Sequence, residues 1–240
     1  SAASDVYKRQ PQPAEKWQGL YDASRFAPPA MQGTFGWRDM VIGTEDCLTL
    51  DIVRPDTDEE LPVVVYFHGG TFVTGASHEK VLQGHLLADA TKVVYVSVNF
   101  RLGVLGYLDF RSLGHDCVAT PALLDQILAL EWVRANIANF GGDANRVTIM
   151  GESAGGAAVV HLMCAPAARG LFHGAVAQSP PPASVHSRLQ AAMWVRELVT
   201  RMGLPRTTTL ADMRATSAEE LVRAGQSMLL NSKELVQLLS

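Results

Sequence analysis

Apolar residues fall in short runs along the chain, separated by turn residues and by longer stretches with helical spacing. From residue 47 to 54, Leu48, Leu50 and Ile52 alternate with Thr49, Asp51 and Val53, the period of a strand. An acidic turn, residues 55–60, leads into Leu61–Phe67, whose core Val63-Val64-Val65-Tyr66-Phe67 reads as a strand buried on both faces. Residues 92–98, 146–150 and 174–178 read as further strands. Residues 78–90 carry Val81, Leu82, Leu86 and Leu87 at helix spacing. Pro121, at a first-turn position, opens a helix expected to run to about Asn139. Its mostly apolar stripe is read as Leu124, Ile127, Leu128, Glu131 and Ala135. Small residues at 154–160 read as another helix. Pro180-Pro181-Pro182 then breaks the chain, and helices are expected at 187–202, 209–215 and 218–228, with Leu210, Met213, Leu221 and Leu229 on packed faces. Strands separated by helices imply an α/β fold with a mostly parallel sheet and right-handed crossovers.

The 240 residues, 48% apolar, suffice for one sizeable core. A net charge of −4 and the lack of a basic run argue against nucleic acid as partner. No apolar stretch reaches the length of a membrane span. The three cysteines, Cys47, Cys117 and Cys164, lack metal-ligand spacing.

The chemistry-bearing segment is Gly151-Glu152-Ser153-Ala154-Gly155, a G-x-S-x-G sequence between a buried strand and a helix. That context suits a nucleophilic serine on a tight turn. Gly151 and Gly155 leave room where a Cβ would meet the neighbouring strand and helix. The N–H of Ala154 then lies at a helix N-terminus, where it can face a developing oxyanion. The bland reading is a glycine-rich turn whose serine only caps the helix. A second segment, His68-Gly69-Gly70-Thr71-Phe72, follows directly on a buried strand and is similar to an HGGG-type oxyanion loop, with Thr71 in place of the third glycine. The donor there is backbone, so a side chain fits if φ stays negative; a β-branched residue at positive φ is strained.

Further motifs follow in order. Glu45-Asp46-Cys47-Leu48-Thr49-Leu50, Val98-Asn99-Phe100-Arg101-Leu102-Gly103, Leu124-Asp125-Gln126 with Ala129-Leu130-Glu131-Trp132-Val133, and Phe140-Gly141-Gly142-Asp143 join the two segments above. Together they resemble the type-B carboxylesterases, over residues 17–179. The resemblance implies an α/β-hydrolase fold acting on a small-molecule ester without metal or organic cofactor. It implies Ser153 as nucleophile, the N–H groups of Gly70, Thr71 and Ala154 as oxyanion donors, and Gly69, Gly151, Gly155, Glu152 and His68 as supports. His68 is expected to brace the loop and Glu152 to support the site by hydrogen bonds. Arg101 and Asp125 are expected to form a structural pair, Asp143 and Asn145 a turn, and Ser179 to brace the site.

Members of that family are roughly twice as long as this chain, with the acid and the histidine far downstream of the serine. None of the seven histidines here has their catalytic context. The expectation is therefore a chain truncated at both ends. Residues 1–10 read as a non-native leader without the apolar segment of a signal peptide. Residues 11–240 read as the N-terminal part of one α/β-hydrolase domain, of which 183–240 form a helical region near the active-site entrance. Cys47 is expected to be a free thiol, because its partner position in secreted cholinesterase-like members has no cysteine here. That favours a bacterial enzyme, cytoplasmic or secreted. Trp37, at the separation where cholinesterases place a cation-binding tryptophan, is read as a packing residue. Two other classes stay open: a cholinesterase-like binding or adhesion protein without catalysis, and an amidase or carbamate hydrolase on the same fold.

Overall fold

A computed structural model describes residues 10–15, 18–19, 21–34, 40–181 and 184–230. Trp37 and residues 1–9 lie outside these. At the centre is a five-stranded sheet built from β3 (Leu50–Val53), β4 (Leu61–Phe67), β5 (Val94–Val98), β6 (Gly142–Glu152) and β7 (Gly174–Gln178), in the order β3-β5-β4-β6-β7. β3 runs antiparallel to β5, and the other three pairings are parallel. The strands expected at 63–67, 92–98 and 146–150 are thus neighbours running the same way. β6 is longer than expected, because Gly142 already pairs with Leu61.

The apolar runs account for this order. Val63, Val65, Phe67, Val94, Val96, Val147 and Ile149 are fully buried, as central strands covered on both faces require. Each such side chain contributes about 1.5–3 kcal/mol by leaving water. A small two-stranded sheet, β1 (Gln32–Gly33) with β2 (Val41–Ile42), lies outside the main one.

The helices are α1 (His85–Thr91), α2 (Gly103–Gly106), α3 (Pro121–Asn136), α4 (Ala154–Cys164), α5 (Arg188–Arg201), α6 (Leu210–Ala215) and α7 (Ala218–Leu230). Two expectations need correction. The single helix over 78–90 is a short 3₁₀ turn, Lys80–Leu82, followed by α1. Gly84 separates them at φ 75, and a Cβ there would lie 2.1 Å from the Tyr95 ring. The break destroys the phase of the apolar positions, so Val81 and Leu86 are 88% and 89% exposed.

On α3 the expected stripe is out of phase. Of that stripe Ile127 is buried, Leu124 and Leu128 are half-buried, and Glu131 and Ala135 are exposed; the buried face otherwise consists of Ala122, Asp125, Gln126, Ala129, Leu130 and Val133. The polar pair on the core face is satisfied by partners. Asp125 accepts from the Arg101 guanidinium at 2.6 and 2.8 Å and from the Arg101 backbone N–H at 3.1 Å, while Gln126 reaches the Tyr107 hydroxyl at 3.4 Å. This buried ion pair ties the segment after β5 to α3.

Helices α5 to α7 pack with α2 into a second core. Leu198, Leu210, Met213 and Leu221 are buried there beside Leu105 and Phe110, while Leu229 stays more exposed. The α6 start is fixed by a capping box: the Thr209 hydroxyl accepts from the Asp212 N–H, and the Asp212 carboxylate accepts from the Thr209 N–H. Among the described residues, no helix is long and apolar enough to cross a membrane.

Candidate active site

β4 and β6 pair in register through Phe67 and Gly151, so the segments leaving their C-terminal ends meet at one edge of the sheet. From β6 the chain turns through Ser153, at φ 54 and ψ −120, directly into α4. A non-glycine residue in this conformation is strained and persists only where its surroundings hold it. The neighbouring glycines show why the turn can be so tight. A Cβ on Gly151 would lie 2.4 Å from the Gly155 carbonyl oxygen, and one on Gly155 would lie 2.0 Å from that of Phe67. The Ser153 N–H donates to Gln178 O at 2.9 Å, tying the turn to β7. Its hydroxyl does not cap α4, so the capping reading of the motif fails. The residue is half-buried.

The loop after β4 packs against this turn. A Cβ on Gly69 would be 3.5 Å from the Ser153 Cβ and 3.0 Å from the Glu152 carbonyl oxygen. From there the loop turns back: Gly70 O accepts from the N–H groups of Val73 and Thr74, both at 3.0 Å. Among the described residues, the N–H groups of Gly70, Thr71 and Ala154 donate to no protein acceptor. Uncommitted donors beside a serine hydroxyl are an arrangement that can receive negative charge on a substrate oxygen.

Thr71 departs from the condition set on it. Its φ is 53, and that of Phe72 is 64, so a β-branched residue sits in the left-handed region. Its hydroxyl donates to Gly70 O at 2.8 Å, a local bond that partly offsets the strain. Thr71→Gly is expected to raise stability by about 1 kcal/mol, the left-handed penalty less the extra entropy of an unfolded glycine. Urea unfolding measures this; an unchanged or lower stability would mean the threonine is unstrained.

His68 is buried at 2% exposure and stacks on Phe100, with ring centroids 4.4 Å apart. Its Nδ1 lies 2.8 Å from Gly69 O, the bracing contact expected of it. Burial pushes its pKa down to about 4, so the ring is neutral at pH 7 and donates from Nδ1. The folded ring holds a proton less tightly than an unfolded histidine, whose pKa is about 6.5. This contribution is complete above about pH 6.5 and is lost as pH falls towards about 4. Between about pH 7 and about pH 5, the wild type should lose about 2 kcal/mol more stability than His68→Gln. Equal losses in urea titrations of the two proteins would show that the buried ring does not titrate in this way.

Glu152 does not carry the hydrogen bonds expected of it. Its side chain is exposed beside Gly69, and among the described residues its carboxylate accepts no hydrogen bond. It sits at the open end of β6, where the strand gives way to the turn. None of the seven histidines is hydrogen-bonded to Ser153. His68 bonds Gly69 O, His161 bonds the Ser184 hydroxyl at 3.0 Å, and His173 accepts from the Val147 N–H. His78 stacks on Phe26, His186 meets the Trp194 ring edge to face, and His85 and His115 are exposed. Cys47 is buried and free, and burial raises its thiol to about 12, so it is unreactive. Sequence reading missed Gln32, whose buried amide grips the far end of the Gly70 loop. Its only signal was a polar residue in an otherwise unremarked segment.

Known proteins are similar to most of this chain. The family model described as "Carboxylesterase family" matches residues 8–239. The para-nitrobenzyl esterase of Bacillus subtilis is 35% identical over 229 residues, 93% of this chain but 46% of its own length. Acetylcholinesterase 4 of Caenorhabditis briggsae is 34% identical over 89% of this chain and 38% of its own. Among solved structures, a PNB esterase superposes with TM-score 0.84 at 35% identity, covering 94% of this chain and 47% of its own. A Geobacillus stearothermophilus carboxylesterase superposes with TM-score 0.83 at 32% identity, with 93% and 47% coverage. The chain thus spans less than half the length of these relatives, and its sheet and helices are those of α/β-hydrolase esterases. With the family model running over nearly every residue, the chain belongs to the carboxylesterase family.

Proposed function

We propose that this chain carries the nucleophile and the oxyanion site of a serine carboxylic-ester hydrolase, as the N-terminal part of one α/β-hydrolase domain. One observation above all supports the reading: Ser153 is held at φ 54 with its hydroxyl outside the helix cap, directly against the loop whose Gly70 and Thr71 N–H groups are uncommitted. In the proposed reaction, Ser153 Oγ attacks the ester carbonyl carbon of a small-molecule substrate. A histidine supplied by sequence outside these residues takes the hydroxyl proton, oriented by an acidic partner. The carbonyl oxygen, now carrying the charge, receives the N–H groups of Gly70, Thr71 and Ala154. The C–O bond to the alcohol breaks, and the alkoxide leaves with the proton from the histidine. Water then attacks the acyl-enzyme and gives its proton to the same histidine, releasing the acid and restoring Ser153. The strained serine disfavours a purely adhesive role, since binding needs no such turn. Kinetics on matched ester and amide substrates separate ester hydrolysis from amide or carbamate chemistry. The Bacillus relative and the unpaired Cys47 support a bacterial host.

The 240-residue chain by itself should hydrolyse p-nitrophenyl acetate only weakly. An oxyanion site without a working triad leaves about 10³–10⁴-fold catalysis over water. Turnover close to that of a complete esterase, lost in Ser153→Ala, would show that a histidine of this chain is the base.

A further inference from the structure

We infer that Gln32 is a positioning residue for the oxyanion loop, gripping it from behind through a single backbone unit, Gly75. The inference rests on the esterase reading above and adds a residue to its machinery.

Gln32 lies on β1 and is only 7% exposed. Its side-chain amide uses both ends. The Oε1 atom accepts from the Gly75 N–H at 2.9 Å, while Nε2 donates to Gly75 O at 2.9 Å and to Ala30 O at 3.0 Å. Gly75 is itself buried, so both of its polar groups would otherwise be unpaired away from water. A side chain thereby replaces the neighbouring strand that the loop lacks.

Gly75 is where the loop is locked. It stands at φ 121, and a Cβ there would lie 2.2 Å from His68 Nδ1 and 2.8 Å from Gly69 O. The His68 ring also stacks on Phe100, and its Nδ1 bonds Gly69 O. Phe100 thus packs on His68, His68 lies close against Gly75, and Gln32 hydrogen-bonds Gly75. Gly69 in turn packs on the Ser153 turn. The amide of Gln32 therefore fixes how far residues 70–74 can move from the serine, and with them the two loop donors.

A second side chain that holds the chain just after β1 serves as a control. Gln226 on α7 donates to Thr34 O at 3.0 Å and does not touch Gly75. Loss of that bond loosens β1 without releasing the loop.

The test compares Gln32→Met, Gln32→Ala and Gln226→Met. Methionine keeps the length of glutamine and removes only its polar atoms. In the 240-residue chain, amide exchange at Val73, Thr74 and Gly75 should accelerate at least about tenfold in both Gln32 variants, with Val65 and Val96 unchanged. In the esterase assembled with its acid and histidine, kcat for p-nitrophenyl acetate should fall by about tenfold or more in both, with KM within about twofold. One misplaced oxyanion donor acts on the transition state, and its outright loss costs about 10²–10³. Gln226→Met should leave kcat and loop exchange unchanged. Unchanged loop exchange in Gln32→Met, or an equal kcat loss in Gln226→Met, would overturn the inference. Absence of Ser153-dependent turnover in the wild type would overturn the esterase reading instead, and exchange would still report whether Gln32 holds the loop.

Discussion

Ser153→Ala, made in the esterase assembled with its acid and histidine, is expected to lower kcat for p-nitrophenyl acetate by about 10⁶-fold, the loss typical when a serine hydrolase loses its nucleophile. KM should change little, because the acyl and alcohol contacts remain. Stability should hold or rise slightly: the hydroxyl makes no cap bond, and its removal leaves the backbone turn in place. The combination is the diagnostic feature. A serine that merely built the turn would, when replaced, lower the melting temperature and spare much of the activity. Steady-state kinetics and thermal unfolding on the same preparation read both quantities. Residual activity within about tenfold of the wild type would remove Ser153 from the mechanism.

Gly155→Ala should lower stability, and it should lower activity too, though far less than Ser153→Ala does. The added methyl would lie 2.0 Å from Phe67 O and 2.9 Å from His68 O, both backbone atoms that cannot swing aside. Overpacking of this kind costs about 1–3 kcal/mol or more. Relief requires α4 to retreat from β4, which carries the Ala154 N–H away from the Gly70 loop. A shift of about 1 Å at a reacting group costs about 10²-fold in rate. Gly170→Ala is the contrast, since no heavy atom lies within 4 Å of its added Cβ. Because Gly170 has φ 76, that variant reports backbone strain without collision. If Gly155→Ala matches it in both stability and rate, the close approach of α4 to β4 is not what holds the elbow.

The parts of the fold that could be read from sequence are those where one physical signal dominates. Val63 to Phe67 is an unbroken apolar run and Val94 to Val98 is interrupted only by Ser97, and such runs become central parallel strands. Gly151 and Gly155 flank a serine between a strand and a helix, a pattern that little besides a tight nucleophile turn produces, and the close contacts of both glycines follow from it. The failures come where polarity and burial part company. On α3, apolar residues lie on both faces, so periodicity could not choose between them. The buried face is the one holding Asp125 and Gln126, and only their partners Arg101 and Tyr107 make that burial tolerable. Gln32 was missed for the same reason: a buried amide looks like a surface residue until Gly75 is found opposite it. At Gly84 a left-handed φ ends what seemed one helix, and its cause, the ring of Tyr95, lies on β5, outside the segment whose periodicity suggested that helix. The left-handed Thr71 was equally invisible, since the residue itself argues against that conformation.

The central claim is that Ser153 and the loop after β4 form one site for an acyl group and its oxyanion. The most direct measurement is a crystal structure of the assembled esterase after reaction with a phosphonate ester that mimics the tetrahedral intermediate. The account predicts a phosphorus bonded to Ser153 Oγ, with the phosphonyl oxygen within about 3 Å of the nitrogens of Gly70, Thr71 and Ala154. A phosphonyl oxygen directed into solvent, or an adduct on any other residue, would contradict it.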